Sequence, residues 1–302
     1  MNRVEKLLKS INNFIRKAET EDDLIDNLPD IPELDELPGL IEEFETLTAK
    51  LLRQQRKYYL DGIKAFISKD DTETLEAILS YFQNDLFVAD EFALLYGVEA
   101  AKFLENTTAS LTKLIMESID KEVAFNVLSK RTTDWIESWS EELAEIMQLN
   151  THKAIERELI AAIEAGESIA QVELRLKDMP GFDRKRARAT ARTEVLTASS
   201  QANWESFMQS PSVIGKKWKH SGAKKIKPRE THVAMDGEVA GVDELFLVDG
   251  EFGMYPRDTT FSAKNRVNCG CVLSPVVDEH ITGLTQEEKE QIRQEVLDEL
   301  NK

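Results

Sequence analysis

The stretch of sequence that decides the fold is FDRKRARATARTEVLTASSQANWESFMQ, residues 182–209. It predicts one helix, because small apolar side chains recur every three or four residues on one side and allow close packing there. Arginines at positions 184, 188 and 192 follow one another at four-residue steps and form a basic stripe along the same helix. The small residues of the packing side are Ala187, Ala191, Val195, Ala198 and Ala202.

Glycine and proline divide the chain on either side of this helix. Between Leu40 and Met179 there are no prolines and only three glycines, whereas nine glycines and five prolines follow from Pro180 onward. Since these residues mark turns and end helices, the first part is predicted to be helical and the second to be rich in loops. Short strands are predicted at Val213–Trp218, Leu245–Val248 and Asn268–Leu273. The predicted fold class is therefore α+β, with a long-helix N-terminal region followed by a small loop-rich α+β C-terminal domain.

The two ends of the chain are predicted to be helical, and an acidic segment follows the first of them. From Glu21 to Glu45 there are eleven acidic residues, no basic residue and three prolines, which favours a linker or an extended arm. This arm is either a solvated spacer or a docking arm for a basic partner, with apolar anchors at Leu28, Ile31, Leu34 and Leu37. A capping-box sequence at Thr285–Glu288 starts the last helix, which is acidic and runs to about Leu300. The chain is thus divided into an N-terminal helix (1–19), an acidic arm (20–45), a helical domain (46–164), an α+β domain (165–275) and an acidic C-terminal helix (276–302).

The overall charge excludes a general nucleic-acid-binding protein. The chain has 302 residues, with 38 basic against 56 acidic side chains and a net charge of −18. Between Arg184 and Arg229 the balance inverts, with twelve basic residues against two acidic ones. This basic segment has two interpretations of equal weight: it contacts the phosphates of a nucleic acid, or it pairs with the chain's own acidic arm or an acidic partner.

Targeting and disulfide signals are absent from the sequence. No apolar run reaches the length of about 18 residues that a transmembrane helix needs, and the first residues lack the apolar core of a signal peptide. The two cysteines stand only two positions apart, so a disulfide scaffold is not expected. A reducing, cytosolic site of assembly is the natural interpretation.

One constellation of residues could bind a metal ion. His232, Cys269 and Cys271, together with His220 or Asp236, offer the imidazole and thiolate ligands that zinc prefers. The alternative is a pair of buried thiols beside a hydrogen-bonded histidine. The sequence contains neither a nucleophile elbow nor a glycine-rich phosphate loop, so no catalytic residues are assigned.

An ordered set of motifs resembles a known family. The run RARATARTE at 186–194 is followed by Lys217-Trp218, by PRETH at 228–232, by Asp236-Gly237 and finally by NCGC at 268–271. Taken in this order, the set resembles the C-terminal domain of the phage Mu F-like minor head proteins, the phage head morphogenesis family, over roughly 165–275. The sequence departs from the family where Gly270 replaces a usual arginine and where Ser221-Gly222-Ala223 replaces a frequent aspartate.

The resemblance implies a structural virion protein without catalytic activity. It implies a place inside the capsid at the portal, host cytoplasm during assembly, and roles in head assembly and in DNA handling or ejection. The partners implied are the portal protein, and also packaged DNA and scaffold or capsid proteins; no membrane partner is expected, and self-association is compatible with the apolar helix faces. The resemblance also strengthens the prediction of a structural zinc site at His232, Cys269 and Cys271. The residues predicted to contact nucleic acid or a partner are Arg188, Arg192, Lys216, Lys217, Lys224 and Arg229.

Two alternatives remain open at this point. The first is a metal-dependent hydrolase in which the same three ligands hold a catalytic ion and Glu230 or Asp236 acts as the general base. The second is a DNA-binding module that uses the basic patch at 184–229, whose affinity would fall steeply with salt.

Overall fold

The computed structural model describes residues 28–68, 74–221, 229–267 and 269–300. The predicted helix at 1–19 and the predicted contact residue Lys224 lie outside these residues. The N-terminal two thirds of the described chain are helical, as the distribution of glycine and proline predicts. The helices are α1 (Leu37–Ile67), α2 (Leu75–Tyr81, extended by a π-helical turn at Phe82–Leu86), α3 (Phe92–Ile119), α4 (Lys130–Glu164), α5 (Ile169–Lys177) and α6 (Arg184–Gln209).

Local sequence signals set the ends of these helices. The hydroxyl of Ser129 accepts a hydrogen bond from the backbone N–H of Thr132 and caps α4. Ser168 and Gln171 form a reciprocal capping box at the start of α5. After α4 the chain turns at Gly166, whose φ of 63° is the left-handed conformation in which glycine commonly ends a helix. Helix α4 therefore ends just before this glycine.

Helix α6 is the central element of the bundle. It packs along α1 and α3, and α3 in turn packs along α4. All the small residues predicted for its packing side are fully buried, so the prediction of a tightly packed helix is confirmed: Ala187, Ala191, Val195, Ala198 and Ala202.

The prediction of an extended acidic arm is wrong for residues 28–45. Helix α1 already begins at Leu37, and Pro38 stands in its first turn, where a missing backbone N–H costs no hydrogen bond. The apolar anchors Leu28 and Ile31 are buried in the chain's own core. Glu33 is fully buried. Its carboxylate accepts hydrogen bonds from Ser199 and Asn203 of α6, which compensate for the loss of water. The segment therefore docks on this chain itself.

The C-terminal part is a small α+β unit built against α6. Its elements are β1 (Val213–Lys219), α7 (Glu230–Ala234), β2 (Val239–Ala240), β3 (Phe246–Val248), β4 (Glu251–Gly253), α8 (Ala263–Arg266), β5 (Val272–Val277), α9 (Glu279–Thr282) and α10 (Gln286–Leu300). The main sheet has the order β2–β1–β5 and is antiparallel, with Trp218 opposite Leu273. Strands β3 and β4 form a separate hairpin whose turn, Asp249-Gly250, has positive φ at both positions, as a type I′ turn requires.

The predicted strands are found, but the last one is displaced. Strand β5 covers Val272–Val277 instead of Asn268–Leu273, because the two cysteines occupy a loop and regular pairing starts only after them. The boundary expected between 275 and 276 consequently falls inside a strand. The last helix starts as predicted, with Thr285 and Glu288 exchanging the hydrogen bonds of a capping box.

The helical part and the C-terminal unit share one hydrophobic core. A continuous cluster of buried side chains extends from Leu37 of α1 through α6 to Leu273 of β5. Helix α10 closes the molecule: the ammonium group of Lys289 lies 2.8 Å from Asp120 and 2.9 Å from Glu122. None of the helices in the described part of the chain is both long and apolar enough to cross a bilayer.

Candidate metal centre

The three predicted metal ligands meet in the core of the C-terminal unit. His232 comes from α7, and Cys269 and Cys271 come from the loop that leads into β5. The Nδ1 atom of His232 lies 3.4 Å from the sulfur of Cys269 and 3.7 Å from that of Cys271. All three side chains are buried, and their ligand atoms lie within 4.8 Å of one another.

These distances fit a zinc ion. Tetrahedral zinc, with Zn–S of about 2.3 Å and Zn–N of about 2.0 Å, places a nitrogen and a sulfur ligand about 3.5 Å apart. The two observed N···S distances lie on either side of that value. They also fit hydrogen bonds between the thiols and the imidazole, so the alternative of buried thiols beside a hydrogen-bonded histidine has the same geometry.

The surroundings of His232 leave Nδ1 free to face the sulfurs. Its other nitrogen, Nε2, lies 3.3 Å from the side-chain oxygen of Asn265 on α8. The amide group of Asn265 donates in turn to Glu251 at 3.1 Å. A hydrogen bond of Nε2–H to Asn265 leaves Nδ1 with its lone pair toward the thiols, which is the tautomer that a metal ligand needs.

A fully buried arginine holds the cysteine loop in place. Arg257 donates from Nη1 to the carbonyl oxygens of Cys269 at 2.6 Å and Cys271 at 2.8 Å. It also donates to the carbonyl of Leu196 and to the hydroxyl of Ser200, both on α6. Arg257 itself has a φ of 68°, a conformation that non-glycine residues rarely adopt and that surrounding contacts must enforce. The cysteine loop is thus tied directly to the central helix.

The environment separates the two thiols in acidity. The hydrogen bond from Cys271, with further contributions from His232 and Arg257, holds the pKa of Cys269 well below its usual range. The pKa of Cys271 is raised by the same hydrogen bond and by burial, while the indole of Trp218 opposes this shift. One sulfur of the pair is therefore prepared to act as a thiolate, which is the form that binds metal.

Comparison with known proteins assigns the family. Residues 153–274 match the family described as Phage Mu protein F like protein. A relative from Bacillus subtilis (strain 168), the uncharacterized protein YqbB, is 53% identical over 98% of this chain and 99% of its own length. The chain belongs to the phage Mu protein F like family. This is a family of phage head proteins, and its members are structural proteins at the family level.

Two further comparisons add little. The NAD(+)–arginine ADP-ribosyltransferase EFV of Enterococcus faecalis (strain ATCC 700802 / V583) is 29% identical over 54% of this chain, which corresponds to 31% of that protein. A match to less than a third of an enzyme at this identity assigns no activity here. No solved structure matches the chain.

The matched family region begins on α4 and ends on β5, so it contains the whole candidate metal centre. His220 and Asp236, which the sequence offers as a further ligand, lie outside this cluster. The side chain of Asp236 is exposed and accepts a hydrogen bond from the backbone N–H of His220, at 2.8 Å. Glu230, the other candidate base of a hydrolase, is also exposed. Within the described residues the cluster therefore has three ligand atoms.

The predicted contact residues of the family region are distributed differently from expectation. Arg192 and Lys216 are buried, and a buried side chain cannot reach a nucleic acid or a partner without rearrangement. Arg188 is half exposed and pairs with the buried carboxylate of Glu45 at 2.9 Å. Lys217 is half-buried on β1, and Arg229 donates a hydrogen bond to the carbonyl of Val267.

Lys216 shows why this part of the basic segment is not a surface. Its ammonium group lies 5.7 Å from the ring centre of Trp204 and 5.4 Å from that of Phe246. Its hydrogen-bond acceptor is the sulfur of Met254, at 3.5 Å. Burial lowers the pKa of Lys216 to about 8. The alternation of β1 turns this lysine inward, where aromatic rings replace water around the charge.

Several important residues of the site carried no signal in the sequence. Arg257 stands on a loop and Asn265 on the short helix α8. Neither has a motif around it, and their partners are backbone atoms or residues distant in the chain. An inward-facing arginine on a loop cannot be distinguished from a solvated one without knowledge of the fold.

Proposed function

We propose that this protein is a minor head protein that is bound to the portal inside the capsid. There it acts in head assembly and in the handling or ejection of DNA, and it catalyses no reaction. It is made and assembled in the host cytoplasm, with the portal as its main partner. The observation that carries this proposal is membership of the phage Mu protein F like family, with the match over residues 153–274.

The way the chain uses its polar side chains supports a structural role. Catalytic groups need access to a substrate, whereas His232, Cys269, Cys271 and Arg257 are all buried. The arginine bonds to backbone carbonyls of the cysteine loop. Such groups hold loops in place, and a small structural domain at an assembly site needs loops of fixed shape.

We further propose that His232, Cys269 and Cys271 bind one structural zinc ion. A small unit with short strands and many loops gains stability when a metal ion ties two of its segments together. Nδ1 of the histidine and the two sulfurs would be the protein ligands, so that the ion joins α7 to the loop before β5. Asn265 and Arg257 would then fix the orientation of the ligands.

Portal binding is the experiment that tests the proposed function. The full-length chain, tagged at one end, is mixed with the purified portal of the same phage, and the complex is isolated by size-exclusion chromatography. We expect the chain to elute with its own portal and not with the portal of an unrelated phage. Elution apart from its own portal, with a circular dichroism spectrum that shows a folded helical protein, contradicts the proposal.

A further inference from the structure

A narrow pocket lies between α4, α6 and α8, apart from the candidate metal centre. Its walls are mainly apolar, with Leu143, Ile146 and Met147 on α4 and Val267 just after α8. Four of its lining residues, on α4 and α6, are only half-buried, and we infer that they border its opening: Asn150, Ala189, Thr190 and Thr193.

Two buried guanidinium groups line this apolar pocket. Arg186 donates to the hydroxyl of Thr151 at 2.9 Å and to the carbonyls of Gly181 and Met147, each at 2.7 Å. All of these acceptors are neutral, and its Nε has no hydrogen-bond partner within the described residues. The charge of Arg186 thus has no carboxylate in hydrogen-bond contact.

The second guanidinium is also incompletely paired. Arg266 stacks over the ring of Trp139, with its central carbon 4.2 Å from the ring centre. Its Nη2 lies 3.8 Å from a carboxylate oxygen of Glu194, which is too long for a hydrogen bond, and that nitrogen has no other partner in the described part of the chain. Arg266 is 3% exposed.

Glu194 does not balance the two cations. It is the one acidic residue among those that line the pocket, and its other oxygen accepts the indole N–H of Trp139 at 2.7 Å. Burial raises the pKa of Glu194, against the opposing effects of Arg266 and of the Trp139 indole. Even in its charged form, this carboxylate neutralises only one of the two guanidinium groups. The pocket therefore has an excess of positive charge in apolar surroundings, and an anion that enters it would be stabilised strongly.

The size of the pocket limits what can enter. The volume that the centres of water-sized groups can occupy inside it is about 50 Å³. By the same measure, one water molecule needs roughly 10–15 Å³. A carboxylate with one or two methylene groups fits this space, whereas a nucleotide does not. The apolar walls favour a carboxylate that is carried on an apolar stem.

We propose that this pocket binds a carboxylate group of a partner protein, either an acidic side chain or a C-terminal carboxylate, that is flanked by leucine-like residues. Charge complementarity to Arg186 and Arg266 selects the carboxylate, and the walls of α4 and α8 select its apolar neighbours. This inference rests on the proposed function, because it requires a protein partner in the phage head. It also gives a role to Thr193 and Glu194, which belong to the RARATARTE run and face the pocket.

A pair of short peptides tests the pocket on the isolated, full-length protein. The probes are acetyl-Gly-Leu-Leu with a free C-terminal carboxylate and the same peptide as its C-terminal amide. Binding is followed through the NMR signal of the Trp139 indole N–H, which is assigned with a Trp139→Phe variant. We expect the carboxylate peptide to shift this signal and to bind roughly tenfold or more tightly than the amide, since charge-assisted hydrogen bonds are lost in the latter.

Matched variants on one helix control for folding. Ala189→Phe fills the opening of the pocket, while Lys185→Phe places the same side chain one turn earlier on α6, where the residue is exposed. We expect Ala189→Phe to abolish binding of the carboxylate peptide and Lys185→Phe to leave it unchanged. Equal binding of the acid and the amide, no binding of either, or unchanged binding by Ala189→Phe overturns the proposal.

A third probe separates a protein partner from a free small acid. If propanoate binds while the carboxylate peptide does not, the pocket accepts only small free acids and the assignment to a partner protein is wrong. These measurements use the isolated chain, so their outcome does not depend on whether portal binding succeeds. A failure of the portal experiment and a failure of this proposal are therefore distinguishable.

Discussion

The arginines of α6 use much of their charge for contacts within the chain. Arg184 and Arg188 pair with the buried carboxylate of Glu45, and Arg186 and Arg192 are buried. Of the two interpretations that the sequence left open, the structure thus provides evidence for pairing with the chain's own acidic segment, of which Glu45 is the last residue. Guanidinium groups suit this use because one arginine can bond several carbonyl or carboxylate oxygens at once.

Substitution of one metal ligand tests the zinc site. We expect about one zinc per purified chain, and a value near zero in His232→Ala and in Cys269→Ser, since the remaining ligands bind the ion too weakly. His280→Ala is the matched control, because His280 is exposed on α9 and lies outside the cluster. Elemental analysis of the protein, purified without chelators, measures this. A metal-free wild-type chain would leave the cysteines as buried thiols.

Asp90, just before α3, gives a prediction for acid stability. Its carboxylate accepts hydrogen bonds from Gln55 at 2.7 Å and Tyr59 at 2.5 Å and lies 3.0 Å from the imidazole of His152. Burial alone would raise the pKa of Asp90, but these hydrogen bonds outweigh it and the pKa is lowered. A lowered pKa means that the charged group stabilises the fold above the pKa of the unfolded chain, about 3.9, and that this stability is lost as the pH falls further.

We therefore expect Asp90→Asn to lower the free energy of unfolding by about 2 kcal/mol at pH 7. The difference from wild type should shrink as the pH falls below about 4. Urea unfolding at several pH values measures it, with Asp85→Asn, an exposed neighbour, as the control. A difference that stays constant down to pH 2 would show that the charge of Asp90 is not what matters.

Among the elements, α6 does most to organise the fold, and it also anchors the start of α4. The carboxylate of Glu205 accepts hydrogen bonds from the backbone N–H of Ser129 at 2.6 Å and from the hydroxyls of Ser129 at 2.8 Å and Thr132 at 2.6 Å. Gln209 donates to it as well, at 2.6 Å. One fully buried acidic residue of α6 thus holds the N-terminus of α4, where negative charge is also favoured by the helix dipole.

Glu205→Gln tests this link between two helices. The amide N–H groups of the new glutamine would face the N–H and O–H donors that now bond to the carboxylate of Glu205. We therefore expect the free energy of unfolding to fall by about 2–3 kcal/mol. Glu141→Gln, on the exposed side of α4, is the matched control and should change it by less than about 0.5 kcal/mol. Equal stability of the two variants in urea would mean that the link is not important.

The sequence predicts the elements better than it predicts their contacts. The spacing of small residues in α6 and the capping box at Thr285 are local signals, and both of these predictions are confirmed. The prediction of an extended arm is wrong for 28–45, because the many charged residues of this segment hide the apolar residues through which it packs on the core. For the candidate metal centre, residue types predict three side chains that the structure brings together, and their role as ligands stays a prediction. Arg257 and Asn265 could not be predicted, because they depend on contacts between distant segments.

At the scale of the whole molecule, a net charge of −18 is combined with a basic segment in which Arg186, Arg192 and Lys216 are buried. We therefore expect weak binding to duplex DNA, with a log–log dependence on salt whose slope is smaller in magnitude than about 3. Fluorescence anisotropy between 50 and 200 mM salt measures this, and Lys217→Ala together with Lys219→Ala should change it little. Tight binding with a steep slope would instead favour the DNA-binding module.

One continuous core joins α1, α3, α4 and α6 to the C-terminal unit, while a second cluster buries the ends of α1 and α4 against α2 and α5. A structural change caused by a contact of the family region would then extend to α6 and α1, because the buried side chains of these helices pack in the same core. This suits a protein that must keep its shape at an assembly site, and it relates the central claim of portal association to the whole chain.

The most direct test of that claim is cross-linking mass spectrometry on purified, DNA-filled particles of the phage that encodes this chain. We expect the chain to be present in few copies per head, as a minor head protein is, and its cross-links to lead to the portal protein. Absence of the chain from the particles, or cross-links that lead only to the major capsid protein, would contradict it.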